Sequence, residues 1–399
     1  MKRAFLLIVL TACAARPSRL HVYPLVDDAT AITVWGFIFS EPTERTQMLT
    51  PIFDPQEPSG GVALDTRGKL VFSANAQGVF QATRTSDQAT VWRRVENDPL
   101  TMQPLFVAKE GIRSPHDLVI EGTQNGRLFA VEADTGKTVW IYEMGGEIAH
   151  APTVAEGRVL ALNARNQLIA LDALTGKWIW QYSRDFPVGL TIYGHSGITV
   201  RNGHAYVGFS DGFVCAVGVE DGLLVWSRPL TLASQGFADA DATPVLSGNR
   251  LYAASVRDGI SALKPDTGEV IWQVRVPNVL RIAAANGYVY AASTTKVVAV
   301  DGETGKTLWS FSYTPAAVAT PVVYRGYVTI ASRPHGLFVL DAKRGNLVQH
   351  FFPGGGISSE LAHDKAGLAF MSEGSWVYYL RYGERPNIVL GGKKRFQGL

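Results

Sequence analysis

The chain is 399 residues long, 46% hydrophobic, with 37 basic and 35 acidic residues and two cysteines. Its length would allow two or three domains, but a formal net charge of +2 excludes the broad positive field that nucleic acid or anionic lipid would call for. Two cysteines exclude a disulfide framework, and no Cys-x-x-Cys or metal-spaced His pair is present, which argues against zinc and c-type haem centres.

At the N-terminus, Lys2 and Arg3 precede an apolar run from Ala4 to Leu10 and then Leu10-Thr11-Ala12-Cys13. A basic start, an apolar stretch and small residues before a cut describe a secretory signal. The last four residues also match the bacterial lipobox, in which the Cys becomes the acylated first residue of the mature chain. Residues 1–12 are therefore expected to be a lipoprotein signal peptide and 13–24 a lipidated tether on Cys13; an ordinary signal peptide with an incidental Cys is the alternative. Ala14 follows the Cys where an Asp would signal inner-membrane retention, which favours a lipid anchor in the outer membrane, facing the periplasm. Loss of Lys2 and Arg3 leaves 35 basic against 35 acidic residues, so the mature chain is close to neutral. No later apolar run approaches the roughly 20 residues of a membrane-spanning helix.

From residue 25 onward one cassette keeps returning. It reads Ala170-Leu171-Asp172-Ala173-Leu174-Thr175-Gly176-Lys177-Trp178-Ile179-Trp180 in its fullest form, with versions ending at Trp140, Trp272 and Trp309. Taking the terminal Trp as a ruler marks Trp92, Trp140, Trp180, Trp226, Trp272, Trp309 and, in a seventh copy, Gln349, at intervals of 37 to 48 residues. A period near 40–45 residues with four short strands per unit is that of a β-propeller blade. Between rulers lie short β-rich runs such as Arg158–Leu162, Gln167–Leu171 and Lys177–Trp180, and no segment shows a capped helical period. Within the cassette, the Asp can accept turn N–H groups, the Gly supplies a positive φ, and the Trp can pack on the neighbouring blade. Pro152, Pro244 and Pro321 are expected to open the next blade, where a missing N–H does least harm.

Seven cassettes leave both ends unexplained. Residues 357–380 offer three strands, around Ser358–Leu361, Gly367–Met371 and Trp376–Leu380, without a closing cassette; Ala31–Phe39, with its own Trp35, can supply the fourth. Joining first strand to last blade removes two exposed edges. The expected fold is all-β, an eight-bladed propeller over 25–383 with a tail over 384–399; seven blades with the N-terminal strand elsewhere is the alternative. The basic Lys393-Lys394-Arg395 is read as a solvated end, and Cys215, in an apolar strand, as a buried thiol.

Catalytic constellations are not found. Gly194-His195-Ser196-Gly197-Ile198 falls one residue short of a nucleophile elbow, and Asp239-Ala240-Asp241-Ala242-Thr243-Pro244 lacks the central Gly and terminal Glu of a calcium loop. No catalytic residue, metal ligand or cofactor is expected.

The cassette is similar to the repeat of pyrroloquinoline-quinone dehydrogenases and their non-enzymatic relatives, and with the lipobox and this length the mature chain resembles the BamB family of outer-membrane lipoproteins. Members of that family bind the periplasmic POTRA region of BamA through a Leu-x-Leu-Arg-Gly-x-Ser-like segment and an Asp-x-Asp-x-Thr-Pro segment. Here these correspond to Leu190-Thr191-Ile192-Tyr193-Gly194-His195-Ser196 and to Asp239–Pro244. The resemblance implies partner contacts by Leu190, Ile192, Asp239 and Asp241, with Tyr193 where the family carries Arg. It also implies a non-catalytic role in the β-barrel assembly complex, with BamA-like POTRA domains and nascent outer-membrane proteins as partners. Both segments fall in 46-residue repeats between a Trp and the next blade, so they should emerge on one face of the ring. Inward packing of Leu190 and Ile192 with turn capping by the two Asp is the structural alternative. A quinoprotein dehydrogenase, or a propeller binding another envelope partner, are the competing functions.

Overall fold

Each recurrence of the cassette folds as the hairpin between the third and the outer strand of an antiparallel sheet, and eight such sheets follow one another along the chain as the blades of a propeller. The structure is a computed structural model that describes residues 20–22, 32–39 and 60–384, apart from 149, 185–195, 231–239, 314–318, 354–355, 358, 366 and 373–376. Blades 1 to 7 span residues 61–95, 105–143, 153–183, 198–229, 245–274, 279–312 and 322–351. Among the described residues, the one departure from strand and turn is a four-residue helix, Lys109–Ile112, in blade 2.

The expected runs in blade 3 appear as Arg158–Leu162, Gln167–Asp172 and Trp178–Ser183. The middle strands read as continuous apolar text because a neighbouring blade covers each face. Ile120, Leu128 and Trp140 of blade 2 pack with Val159, Ile169 and Leu171 of blade 3 in one cluster, and equivalent clusters fill the other gaps. Each such side chain contributes about 1.5–3 kcal/mol on full burial, so the core is a ring of layers between blades.

Among the described residues, the cassette closes the six layers from blade 1 to blade 7 in one way. The Trp92 Nε1–H donates to Ala133 O at 2.7 Å, that of Trp140 to Ala173 O at 3.1 Å and that of Trp180 to Val219 O at 2.9 Å, always in the next blade. Trp226, Trp272 and Trp309 do the same to Pro265, Gly302 and Ala342. Every indole then lies on the cassette glycine of that next blade, from Gly136 to Gly345, where an added β-carbon would meet the ring at 2.5–2.8 Å. A bulge one residue before the Trp, as between Trp178 and Trp180 against Leu171 and Ala170, re-aims the side chain out of its own sheet. Asp172 Oδ1 accepts from Thr175 N at 2.8 Å and Thr175 Oγ1 at 2.7 Å, so the turn carries its own clamp.

Blade 8 joins the two ends of the chain. Its inner three strands are Ala362–His363, Gly367–Met371 and Val377–Glu384, and β2 (Ile32–Phe39) pairs with the last of them from Ile32↔Glu384 to Phe39↔Val377. The composite blade expected from the sequence is thus present, its first strand at Ala362–His363 where Ser358–Leu361 was expected. Since its third and outer strands come from opposite ends of the chain, blade 8 has no cassette turn, and blade 7 accordingly presents Gln349 in place of Trp. Blade 7 has a fifth strand: β1 (Leu20–Val22), within the segment expected as a tether, pairs with its outer strand Leu347–Phe351. Cys13 and the tail beyond Glu384 lie outside the described residues.

Two faces follow from this chain path. Cassette turns share a face with the hairpin between the first two strands, as Ala173 N–H donating to Gly157 O shows. Blade-to-blade connectors share the opposite face with the second hairpin, as Ala164 N–H donating to Glu147 O and Arg184 N–H donating to Asn166 O show.

Candidate partner-docking site

The two segments singled out from the sequence leave successive blades on the connector face. Residues 185–195 join the outer strand of blade 3, ending at Ser183, to blade 4, starting at Ile198; residues 231–239 join blade 4, ending at Pro229, to blade 5, starting at Val245. Leu190, Ile192, Tyr193 and Asp239 lie outside the described residues. What the structure does describe is how both connectors are held at their feet.

The first connector starts from a polar anchor. Arg184 Nε donates to Asp211 Oδ2 at 2.6 Å, its Nη1 to Ser227 Oγ at 3.2 Å, and its guanidinium lies 4.3 Å over the Phe213 ring. Burial disfavours the cation, but hydrogen bonds to Asp211 and Tyr182 outweigh it and hold the Arg184 pKa above its ordinary value. Beneath it lies Cys215, fully buried, whose thiol burial pushes up and thereby keeps protonated.

The two connectors then meet at their ends. Gly197 N–H donates to Thr243 Oγ1 at 2.9 Å, and Thr199 Oγ1 donates to Pro244 O at 2.5 Å. The same latch one blade earlier runs from Thr153 Oγ1 to Ile198 O at 2.7 Å. Close approach explains two glycines: a β-carbon on Gly197 would strike the Thr243 side chain, and one on Gly208 the Ala240 carbonyl. Pro152, Pro244 and Pro321 each stand directly before the first strand of a blade, as expected.

Asp241 is only 4% exposed and sits between Ala240 and Ala242, both buried, at the foot of the second connector. Its carboxylate faces into the fold. Of the Asp-x-Asp-x-Thr-Pro segment, Asp241 is buried, while Thr243 and Pro244 accept hydrogen bonds from the start of blade 4. Sequence reasoning passed over Arg184, Thr199 and Thr243; the recurrent Thr before or within a first strand (Thr153, Thr199) was the available signal. On the other side of the ring, Arg281 Nε donates to Glu360 Oε1 at 2.7 Å while Thr320 N–H donates to Glu360 Oε2 at 2.6 Å, pinning the connectors of blades 6 to 8 by an internal ion pair.

Repeated four-stranded blades, indole-on-glycine docking and a closure that combines both chain ends define an eight-bladed propeller of the PQQ-like repeat class. The model of the family described as outer membrane protein assembly factor BamB matches residues 76–260 and 256–385. The chain belongs to that family. An outer membrane protein assembly factor BamB from Shewanella oneidensis is 26% identical over 290 residues, covering 70% of this chain and 73% of the relative. The crystal structure of BamB from Moraxella catarrhalis shares the fold with a TM-score of 0.70 at 20% identity, over 80% of this chain and 95% of that one. A quinohemoprotein alcohol dehydrogenase from Comamonas testosteroni has a TM-score of 0.66 at 13% identity, covering 93% of this chain and 78% of its own, a likeness of fold alone.

Proposed function

We propose that this chain is a non-catalytic lipoprotein scaffold of outer-membrane β-barrel assembly. Acylated Cys13 holds the propeller at the periplasmic face of the outer membrane, and the 185–195 and 231–239 connectors dock a POTRA-type domain of a BamA-like partner. Leu190 and Ile192 form the apolar centre of that contact, Tyr193 and Asp239 its polar edge, an arrangement suited to a small hot spot with a charged rim. Asp241, buried, acts from below by holding the connector in place. Nascent outer-membrane strands are a second class of client.

The observation that supports this reading is the Gly197–Thr243 hydrogen bond, which ties the residues leading into blade 4 to those leading into blade 5. Asp239→Arg in the full-length protein tests it. Co-purification with the BamA-like partner from detergent-solubilised outer membrane should fall at least about tenfold, because a like-charge contact costs several kcal/mol. Undiminished recovery would overturn the site. Asp241→Arg is unsuitable for this purpose, since it buries a cation and risks the fold. Saturable binding of pyrroloquinoline quinone with dye reduction would overturn the non-catalytic part of the reading.

A further inference from the structure

We infer that the propeller stands on the bilayer with the outer, connector-side corner of blade 7 nearest the lipid, a seat set by β1. The inference rests on the acylation of Cys13 proposed above and adds the orientation that the anchor imposes. In the register Leu20↔Phe351, His21↔His350 and Val22↔Gln349, β1 lies antiparallel to the outer strand of blade 7. That outer strand runs from the cassette turn at Asp341–Asn346 towards the connector face. The chain therefore arrives at blade 7 on the connector face, with Leu20 beside Phe351, and proceeds towards the cassette face, where β2 starts at Ile32.

Lengths decide what this does. Leu20 is seven positions from Cys13, and an extended chain spans at most about 3.6 Å per residue, so the acylated end lies within about 25 Å of this corner. Without β1 the first fixed point would be Ile32, nineteen positions from Cys13, and the tether would reach about 68 Å. A ring diameter crosses two four-stranded blades at about 4.8 Å per strand, with the channel between them, which exceeds about 30 Å. The short tether therefore commits one side of the ring to the membrane, and the long one would not.

The surface at that corner fits an interface with lipid. Phe352, directly after the outer strand, is 38% exposed and is the large apolar side chain that blade 7 offers to solvent among the described residues. On the outer strand itself, His350 stacks on Phe338 with ring centroids 4.7 Å apart, and the His335 carbonyl lies 2.6 Å from His350 Nε2. An exposed aromatic beside an acylated segment adds apolar area at the headgroup level, as membrane-surface proteins do. The exposed apolar residues of blades 3 to 6, such as Trp178, Leu224, Val270 and Leu308, lie at the opposite, cassette-side ends of their outer strands. A ring flat on its connector face would press Arg184, Gly197 and Thr243, the described feet of the proposed dock, into lipid. Standing on blade 7, it holds them on the far side, since blade 3 is four blades away in a ring of eight.

The test uses full-length acylated protein in vesicles of phosphatidylethanolamine and phosphatidylglycerol, with benzoylphenylalanine placed at Phe352 or at Trp178 and photo-crosslinked to the lipid. Position 352 should label lipid several-fold more than position 178. Prolines at both His21 and Val22, which remove the β1 donors, should bring the two positions to equality while vesicle binding persists. Equal or reversed labelling in the protein with intact β1 would overturn the seat while leaving the anchor standing. Absence of an acyl mass on Cys13, with no vesicle binding, would instead overturn the anchoring reading and the seat with it.

Discussion

The indole of Trp140 lies against Gly176 of the following blade so closely that a β-carbon there would stand 2.7 Å from two of its ring carbons. The same indole donates its N–H to Ala173 O, three residues before that glycine, so one side chain closes both the apolar gap and the hydrogen-bond gap between blades. Repeated along the chain, this contact sets the spacing of the blades and so the number that closes a ring.

Gly176→Ala should consequently cost far more than an alanine at another glycine of like backbone. Gly176 has φ 66° and a crowded site; Gly157 has φ 72° and nothing within 4 Å of its β-carbon position. Backbone strain alone predicts about 1 kcal/mol at Gly157, while overpacking adds about 1–3 kcal/mol at Gly176. Urea midpoints of the two variants measure the difference, and equal losses would deny the docking its role.

Trp180→Phe separates the two halves of the contact. The ring keeps much of its packing, but Val219 O loses a donor held at 2.9 Å in a buried setting. A loss of about 1–3 kcal/mol in unfolding free energy is expected, the cost of leaving such a carbonyl unsatisfied. A loss near zero would mean that water replaces the indole N–H.

Glu121 predicts a pH dependence. It is completely buried, its Oε1 accepts only Gly122 N–H at 3.1 Å, and its Oε2 has no partner among the described residues. Burial raises its pKa well above the ordinary carboxylate value, so the folded protein keeps a proton that the unfolded chain has lost. Folding then takes up a proton, and this group weakens the fold as pH climbs from the ordinary value near 4.5 towards the raised one. Glu121→Gln removes that dependence. The stability of the variant relative to the parent should grow between pH 4.5 and pH 7, read from denaturant unfolding at several pH values; a constant gap would show that Glu121 ionises normally in the fold.

Arg184→Ala should release the first connector without opening the ring. It removes the 2.6 Å ion pair with Asp211 and leaves that carboxylate uncompensated, at a cost of about 2 kcal/mol for hydrogen bonds to a charged group. Amides of residues 185–195 should exchange faster in hydrogen-exchange measurements, with the strands of blades 6 to 8 unchanged, and partner recovery should fall. Unaltered exchange would place the support of the connector elsewhere, at Thr243.

Much of this architecture was legible because the blade is a repeated solution to one packing problem. The Trp and the Gly recur at near-fixed offsets, Gly367–Met371 falls where a short β-rich run placed it, and the run from Lys177 to Trp180 appears as the longer strand Trp178–Ser183. Gln349 was visible only as an irregular seventh copy; its reason, the absent cassette turn in blade 8, is a property of closure. The site was legible more coarsely. The two connectors were found by their position after Trp180 and Trp226, yet the burial of Asp241, expected as a partner contact or a turn cap, was not legible, because nothing in a short polar segment reveals which residue turns inward. Arg184 and Asp211 are 27 positions apart and β1 and Phe351 more than 300, separations at which no local pattern signals a meeting.

The amino-acid order by itself determined the class of fold, the number of cassettes and the place of the variable connectors, since those depend on local propensity and on a period written into the text. Tertiary structure alone decided that Thr243 meets Gly197, that Glu121 is sealed between blades, and that β1 ties the start of the chain to blade 7. These are contacts between segments distant in sequence, set only when the ring closes and the space between neighbours is filled.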